Sequence, residues 1–303
     1  MSTPHAPSRP RPGRAEVVAP IALATAARLP DGMADTPHLV GALAASGVTA
    51  RTVTWDDAEV DWSAFSMVLT HCTWDYLSRR EDFLGWLAAR SAAGQLVNRL
   101  TLLEATLDKA YLLRLAEAGI EVPPTVRVER GREAADAGLA GRLGEGPLVL
   151  KPAVGGGGHE VWRCADAVAV AEVAAAELAD RPVVVQAFQR SVTERGEYSA
   201  VMVAGRLSHA VVKRPRPGDF RVHRRYGATR ATVTAPGWLP DYCDRVLAAL
   251  GGEPLYARID FLLPRPEQPV LMEVELLEPD LYLREAEGAA AGFASALIAH
   301  ARL

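Results

Sequence analysis

Four consecutive glycines, Gly155 to Gly158, follow Lys151-Pro152 and separate two apolar runs. Glycine loses more freedom on ordering than any other residue, so such a run suits neither a helix nor a strand interior. PLVLKPAVGGGGHEVWRC therefore reads as strand, glycine loop, strand. Glycine also lets backbone N–H groups approach an anion closely, and the lysine beside it adds a mobile point charge. In outline this is a phosphate cradle, with a plain flexible turn as the competing reading. No G-K-[ST] follows, so it is not a P-loop, and no G-x-G-x-x-G opens a helix.

Around this loop the chain of 303 residues has room for two or three lobes. From about residue 16 to 98, strand-like segments (VVAPIALATA, ARTVTW, FSMVLTH, QLVN) alternate with helical ones (PHLVGALAASG and Arg79–Ala93). That alternation predicts a small parallel sheet with covering helices. An amphipathic helix is expected over Asp108–Ala118, then a strand in PPTVRV, an Ala-rich helix in ADAVAVAEVAAAELAD and a buried strand in PVVVQAF. Short alternating segments from Glu197 to about Thr234 predict antiparallel strands. A helix near Asp241–Leu250, strands in LYARIDFLL and PVLMEVELL, and a closing helix complete the pattern.

Composition narrows the function class. An apolar fraction of 49% and a charged fraction of 23% exclude a mainly disordered, collagen-like or coiled-coil chain. A net charge of −4 gives no global basic field, so neither nucleic acid nor an anionic membrane is an expected partner. Cys72, Cys164 and Cys243 are odd in number and far apart, with no metal-ligand spacing, which points to a reducing cytoplasm. Residues 1–14 are Pro-, Ser- and Arg-rich and read as a disordered leader. The apolar run Val17–Ala27 mimics a signal peptide, but Glu16 and Pro20 interrupt it, and a first β-strand explains it better. No segment approaches the roughly 20 apolar residues that span a bilayer. Of the 33 basic residues only three are lysines, Lys109, Lys151 and Lys213. A chain so rich in Arg that keeps three ammonium groups makes those positions candidates, because Arg and Lys differ in shape and hydration.

The acidic side lies downstream. Glu273 and Glu275 are two apart in a strand and so share a face, and an antiparallel neighbour carrying Asp260 would complete an oxygen cage. Carboxylates in an apolar strand need compensation, and Mg²⁺ with phosphate oxygens supplies it. An exposed sheet edge is the alternative.

Taken together, these motifs resemble the ATP-grasp superfamily, in its glutathione-synthetase-like branch, over about residues 95–303. The resemblance implies an α/β chain with α+β lobes: an ATP-grasp fold preceded by a small parallel-sheet (pre-ATP-grasp) domain. Lys151 and Gly155, Gly156, Gly157 and Gly158 match the family's glycine flap, and Lys109 matches its other ATP lysine. Gln186, Ala187 and Phe188 resemble the hinge that holds adenine by backbone groups, and Glu197 the ribose-binding acid. Arg221, in Gly218-Asp219-Phe220-Arg221, matches the arginine that reaches the transferred phosphate; Asp260, Glu273 and Glu275 match the metal ligands, with Arg258 beside the first. The sequence departs where Glu275 replaces an Asn, where His223 stands near another Asn position, and where Ser199 replaces a substrate-binding Arg. The segments TWDY, FLGWL, VN and MEVELLEP are further similar to ring-closing ligases of the O-ureido-D-serine cyclo-ligase type.

The resemblance implies an ADP-forming carboxylate–amine ligase using ATP and Mg²⁺ through an acyl phosphate, acting on a small amino-acid-like substrate. Arg221, Arg258 and Lys213 are the catalytic candidates, although Lys213 also fits a surface charge. His71, Thr73, Trp74, Asp75, Tyr76 and His223 are the substrate-side candidates. For these, core aromatics at Trp74 and Tyr76, a helix cap at Asp75 and a structural hydrogen bond at His71 remain the alternative readings. The expected segments are 1–14 (leader), 15–105 (substrate side), 106–185 (central lobe with the flap) and 186–303 (lobe with the metal ligands). A homo-oligomer is left open, and a kinase or a degenerate nucleotide-binding scaffold are the competing functions.

Overall fold

The computed structural model describes residues 19–130 and 138–301. The expected leader, residues 1–14, lies outside the described residues. Three sheets organise the chain. The first joins β1 (Ile21–Thr25), β2 (Ala50–Thr54), β3 (Met67–Cys72) and β4 (Leu96–Val97) in the order β2-β1-β3-β4, all parallel. β1 and β3 are buried throughout, as strands covered on both faces must be, which is why they are mostly apolar (IALAT and MVLTHC). The crossovers are α1 (Thr36–Ala45) and α2 (Arg80–Ala92). Pro37 sits in the first turn of α1, where its missing N–H costs nothing, and Gly47 (φ +77°) turns the chain out of it.

Helices α3 (Leu100–Leu107) and α4 (Tyr111–Glu117) follow, broken at Asp108-Lys109-Ala110. The second sheet is antiparallel: β5 (Thr125–Val128), β6 (Leu148–Pro152), β7 (Trp162–Cys164) and β8 (Val183–Ala187) in the order β5-β8-β6-β7, with α5 (Leu139–Leu143) and α6 (Ala167–Glu177). The glycine loop joins β6 to β7.

After α7 (Ser191–Glu194), the third sheet collects β9 (Glu197–Val203), β10 (Arg206–Arg214), β11 (Thr229–Val233), β12 (Tyr256–Arg265) and β13 (Gln268–Glu275) in the antiparallel order β11-β10-β9-β12-β13. α8 (Leu239–Leu250) buries Leu239, Tyr242, Cys243, Val246 and Leu247, one helical stripe, and α9 (Ala289–Ala301) closes the chain. The expected alternation of the first 98 residues and the antiparallel region are both present. α3 is an element the sequence reading did not assign. Cys72, Cys164 and Cys243 are free and buried. No described helix is long and apolar enough to cross a membrane.

Candidate active site

Strand alternation builds the floor of the site. On the third sheet Tyr198, Ala200, Ile259, Phe261 and Val274 pack into apolar core. The residues between them, Glu197, Ser199, Asp260, Glu273 and Glu275, take the opposite face. Register sets their neighbours: Lys213 lies opposite Glu197, Asp260 opposite both Ser199 and Glu273, and Arg258 opposite Glu275. Above this floor stands the second sheet with its glycine loop, and an open cleft separates the two.

Lys109, Lys151, the four glycines, Gln186, Ala187, Phe188, Glu197, Arg221, His223, Asp260, Glu273 and Glu275 all line that cleft. Lys109 is placed by its own backbone, whose N–H donates to the Ala153 carbonyl (2.8 Å). Its ammonium donates to the Gly155 carbonyl (2.7 Å) and pairs with Glu273 Oε1 (2.9 Å). Lys151 projects from β6; burial pulls its ammonium down to about 8, against the opposing pull of Glu273. Burial alone would raise Glu273, but Lys109 and then Lys151 hold it below the usual carboxylate range.

Lys213 and Arg258 are not on the cleft wall but beneath it, 5% exposed each. Lys213 pairs with Glu197 Oε1 (2.6 Å) and Asp260 Oδ1 (3.2 Å). Burial would lower its pKa, yet Asp260 and Glu197 drive it well above the ordinary lysine value. The surface-charge reading of Lys213 is thereby overturned. Arg258 grips Asp260 through Nε (3.1 Å) and Nη2 (2.8 Å), and also bonds Glu275 and the Asp280 carbonyl (3.2 Å). Ser199 donates to Asp260 as well. Arg258 and Lys213 outweigh burial and hold Asp260 well below the carboxylate range, whereas burial pushes Glu275 up to about 7.

Among the described residues no three His, Cys, Asp or Glu side chains converge into a metal cage. The expected cage of three carboxylates is thus not assembled by the protein alone, because Lys109, Lys213 and Arg258 each hold one or more of them. The donors still suit a hard cation, since Mg²⁺ takes one or two carboxylates and completes its shell with phosphate oxygens and water.

The hinge also differs in detail. The N–H of Ala187 is spent on the Pro124 carbonyl (3.0 Å) and that of Phe188 on the Pro147 carbonyl (2.9 Å), so these donors are not free for a purine. Other polar groups there include the Ala187 carbonyl, which accepts from Gln189 Nε2 (3.2 Å), and Gln189 itself, which lines the cleft and was missed from sequence. Arg221 is held by Asp219 (Nη2–Oδ2 2.9 Å) and lies over the Tyr226 ring, 3.6 Å from its centroid.

The substrate-side candidates in and just after β3, His71 to Tyr76, do not line this cleft. His71 is buried, bonds Thr36 Oγ1 (2.7 Å) and is pushed down to about 4 by burial. Thr73 donates to Glu278 Oε2 (2.7 Å). Trp74 is half-buried. Asp75 makes no side-chain cap, contrary to the capping alternative; it accepts from Trp55 Nε1 (2.9 Å) and pairs with Arg79 (3.2 Å). Tyr76 stacks on Phe83 with centroids 4.8 Å apart, a core aromatic. Glu278, Gln189 and Tyr226 are neighbours of the site that sequence reasoning left out. Glu278 had a signal, being part of the quoted MEVELLEP segment.

Comparison with known proteins follows the same lines. The family model described as D-cycloserine synthetase DcsG, N-terminal domain, matches residues 21–98. The cycloserine biosynthesis protein DcsG of Streptomyces lavendulae is 32% identical over 283 residues, covering 87% of this chain and 92% of that protein. The crystal structure of D-cycloserine synthetase DcsG superposes with a TM-score of 0.82 at 30% identity, covering 93% of this chain and 99% of the other. D-alanine–D-alanine ligase from Bacillus anthracis shares the fold, with a TM-score of 0.68 at 16% identity over 93% of this chain and 95% of that one.

Proposed function

The chain belongs to the family of D-cycloserine synthetase DcsG, among the ATP-grasp ligases, and from that footing we propose that it closes a ring within a small amino-acid-like substrate at the expense of ATP. The class of reaction is ATP-dependent carboxylate–amine ligation. Ring closure and the substrate are the finer reading, and they rest on the likeness to DcsG.

In this reading the substrate carboxylate attacks the γ-phosphorus of ATP, the γ-phosphoryl group is transferred and ADP leaves. A substrate nitrogen then attacks the acyl carbon, the C–O bond to phosphate breaks, and the nitrogen's proton leaves with the phosphate. Catalysis of this kind is mostly positioning and charge neutralisation. Lys109 and Lys151 hold the α- and β-phosphates beneath Gly155–Gly158, Glu197 takes the ribose, and the Ala187 carbonyl with Gln189 reads adenine. Arg221 meets the transferred phosphoryl group. Asp260, Glu273 and Glu275 would hold Mg²⁺, which when bound neutralises phosphate oxygens. Lys213 and Arg258 keep Asp260 ionised from below, Arg258 also holds Glu275 in place, and Lys109 with Lys151 keeps Glu273 ionised. The glycine loop excludes water from the acyl phosphate. Residues 15–105 would serve the substrate, 106–185 the nucleotide and 186–303 the metal. An ATP-consuming biosynthetic role and three buried free cysteines support the cytoplasm.

The observation that carries this is the convergence of Lys109, Lys151, the glycine loop, Asp260 and Glu273 on one cleft. The test measures ADP and phosphate release with candidate amino acids, O-ureido-D-serine among them, with hydroxylamine trapping the acyl phosphate. A hydroxamate and a cyclic product are expected, and Lys151→Ala abolishes both. An intermolecular amide would indicate an amino-acid or dipeptide ligase. A stable phosphorylated substrate without hydroxamate would indicate a kinase, and no ATP binding a scaffold.

A further inference from the structure

One contact joins the glycine loop to the third-sheet side of the cleft. Tyr226 ends a tight turn over Arg224–Tyr226, and Gly227 (φ +82°) leads the chain away from it into β11. Its hydroxyl donates to the carbonyl oxygen of Gly158 at 2.9 Å, across 68 residues of sequence. The ring serves a second partner, the Arg221 guanidinium, whose centre lies 3.6 Å from the ring centroid while Asp219 holds its nitrogens. Gly158 accepts this approach only because it lacks a side chain. Its φ is +68°, and a Cβ there would fall 2.7 Å from His223 Nδ1 and 3.0 Å from Tyr226 Cε2. His223 packs edge-on to Tyr226, its buried Nδ1 without a hydrogen-bond partner among the described residues. Tyr226 thus touches at once the loop that must close and the arginine that must meet the phosphoryl group.

We propose that Tyr226 is a positioning residue that latches the glycine loop down through its hydroxyl and aims Arg221 through its ring, so that loop closure and phosphoryl stabilisation occur together. This deepens the ligase reading and rests on it. An acyl phosphate has two fates. Attack by the substrate nitrogen on the acyl carbon gives amide and phosphate. Attack by water on that carbon breaks the same C–O bond and returns the carboxylate and phosphate, with one ATP consumed for nothing. A loop that opens more often admits water, so the latch sets the fraction of ATP that ends as amide.

Two variants separate the contacts. Tyr226→Phe keeps the ring beneath Arg221 and removes the hydroxyl. Loss of one net hydrogen bond predicts a roughly five-fold rise in KM for ATP and an ADP-to-amide ratio well above that of the parent, with kcat for ADP formation little changed. Tyr226→Leu removes both contacts and should in addition lower kcat by roughly ten-fold, a size between those of an exposed and a desolvated cation–π contact. Gly158→Ala attacks the latch from the other side and should reproduce the raised ratio. Hydrogen exchange of residues 155–159 in the nucleotide-free protein reads the latch without turnover, and it should be faster in Tyr226→Phe than in the parent. Unchanged exchange, or an unchanged ADP-to-amide ratio in both Tyr226 variants, overturns the proposal. If the parent makes no ADP with any amino acid while exchange still rises in Tyr226→Phe, the ligase reading has failed and the role in coupling fails with it, although the contact to the loop is real.

Discussion

Glu278 is a carboxyl group with no ion-pair partner among the described residues. Thr73 is its hydrogen-bond donor (2.7 Å), and burial, with Glu275 adding, pushes its pKa up to about 8 from an ordinary 4.5. Folded protein therefore holds a proton here that unfolded chain has released, across the whole window between those values. Stability falls as pH rises through that window, by an amount on the order of a few kcal/mol once complete. Glu278→Gln keeps an acceptor for Thr73 and removes the charge. It should raise the melting temperature at pH 8 and leave it nearly unchanged at pH 4.5; an equal gain at both would mean the charge is not the cause. At this scale the lysines were legible, because three ammonium groups among 33 basic residues stand out in any reading. The partner of Glu278 was not. Thr73 lies 205 residues away, and no local pattern encodes that contact.

The element that organises the site is the third sheet, whose polar face runs Lys213, Glu197, Ser199, Asp260, Glu273 across four strands. Alternation made the shared face of Glu273 and Glu275 readable, and the pairing of β12 with β13 made Asp260 their neighbour, as expected. The place of Lys213 was not readable. It depends on the strand order β10-β9-β12, in which β9 is inserted between two strands separated by the 41 residues 215–255 and sets Glu197 and Ser199 between them. The helix boundary at Lys109 was misjudged for a similar reason: Asp108 bonds the Ala110 N–H (2.9 Å) and Lys109 bonds Ala153, so the chain pauses there before α4. Lys213→Met tests the sheet's charge balance. It leaves Glu197 without the cation it shares with Asp260, and removing one partner of a buried ion pair costs about 3–5 kcal/mol. Urea unfolding at pH 7 should show that loss, and the double variant with Glu197→Gln should recover part of it. A Lys213→Met protein of parental stability but raised substrate KM would instead assign Lys213 to the substrate.

At the scale of the molecule, the second sheet keeps its own apolar cluster, drawn wholly from residues 126–185. The other two sheets do not. Ile21, Leu23 and Leu69 of the first, with Leu39 of α1, share a cluster with Val201, Val211 and Tyr256 of the third and Phe293 of α9, so the boundary expected near residue 105 runs through continuous core. A polar tie reinforces this junction. Asn98, held at φ +31°, donates through Nδ2 to the carbonyls of Tyr256 (3.0 Å) and Leu276 (2.9 Å), while its Oδ1 accepts from the Leu255 N–H (2.8 Å). One side chain thus satisfies three buried or half-buried backbone groups more than 150 residues away, and fixes the first sheet against the strand that carries Arg258 and Asp260. Asn98→Leu preserves the bulk and strands those groups, each worth about 1–3 kcal/mol. The apolar clusters remain, so the chain still folds. By calorimetry the melting temperature should fall by at least about 5 °C. The loss should come in the transition of the first and third sheets, while the self-contained second sheet melts where it did, turning one endotherm into two. A single endotherm shifted as a whole would show instead that the three sheets unfold as one unit, with the cleft between the second and third as strongly coupled as the junction Asn98 holds.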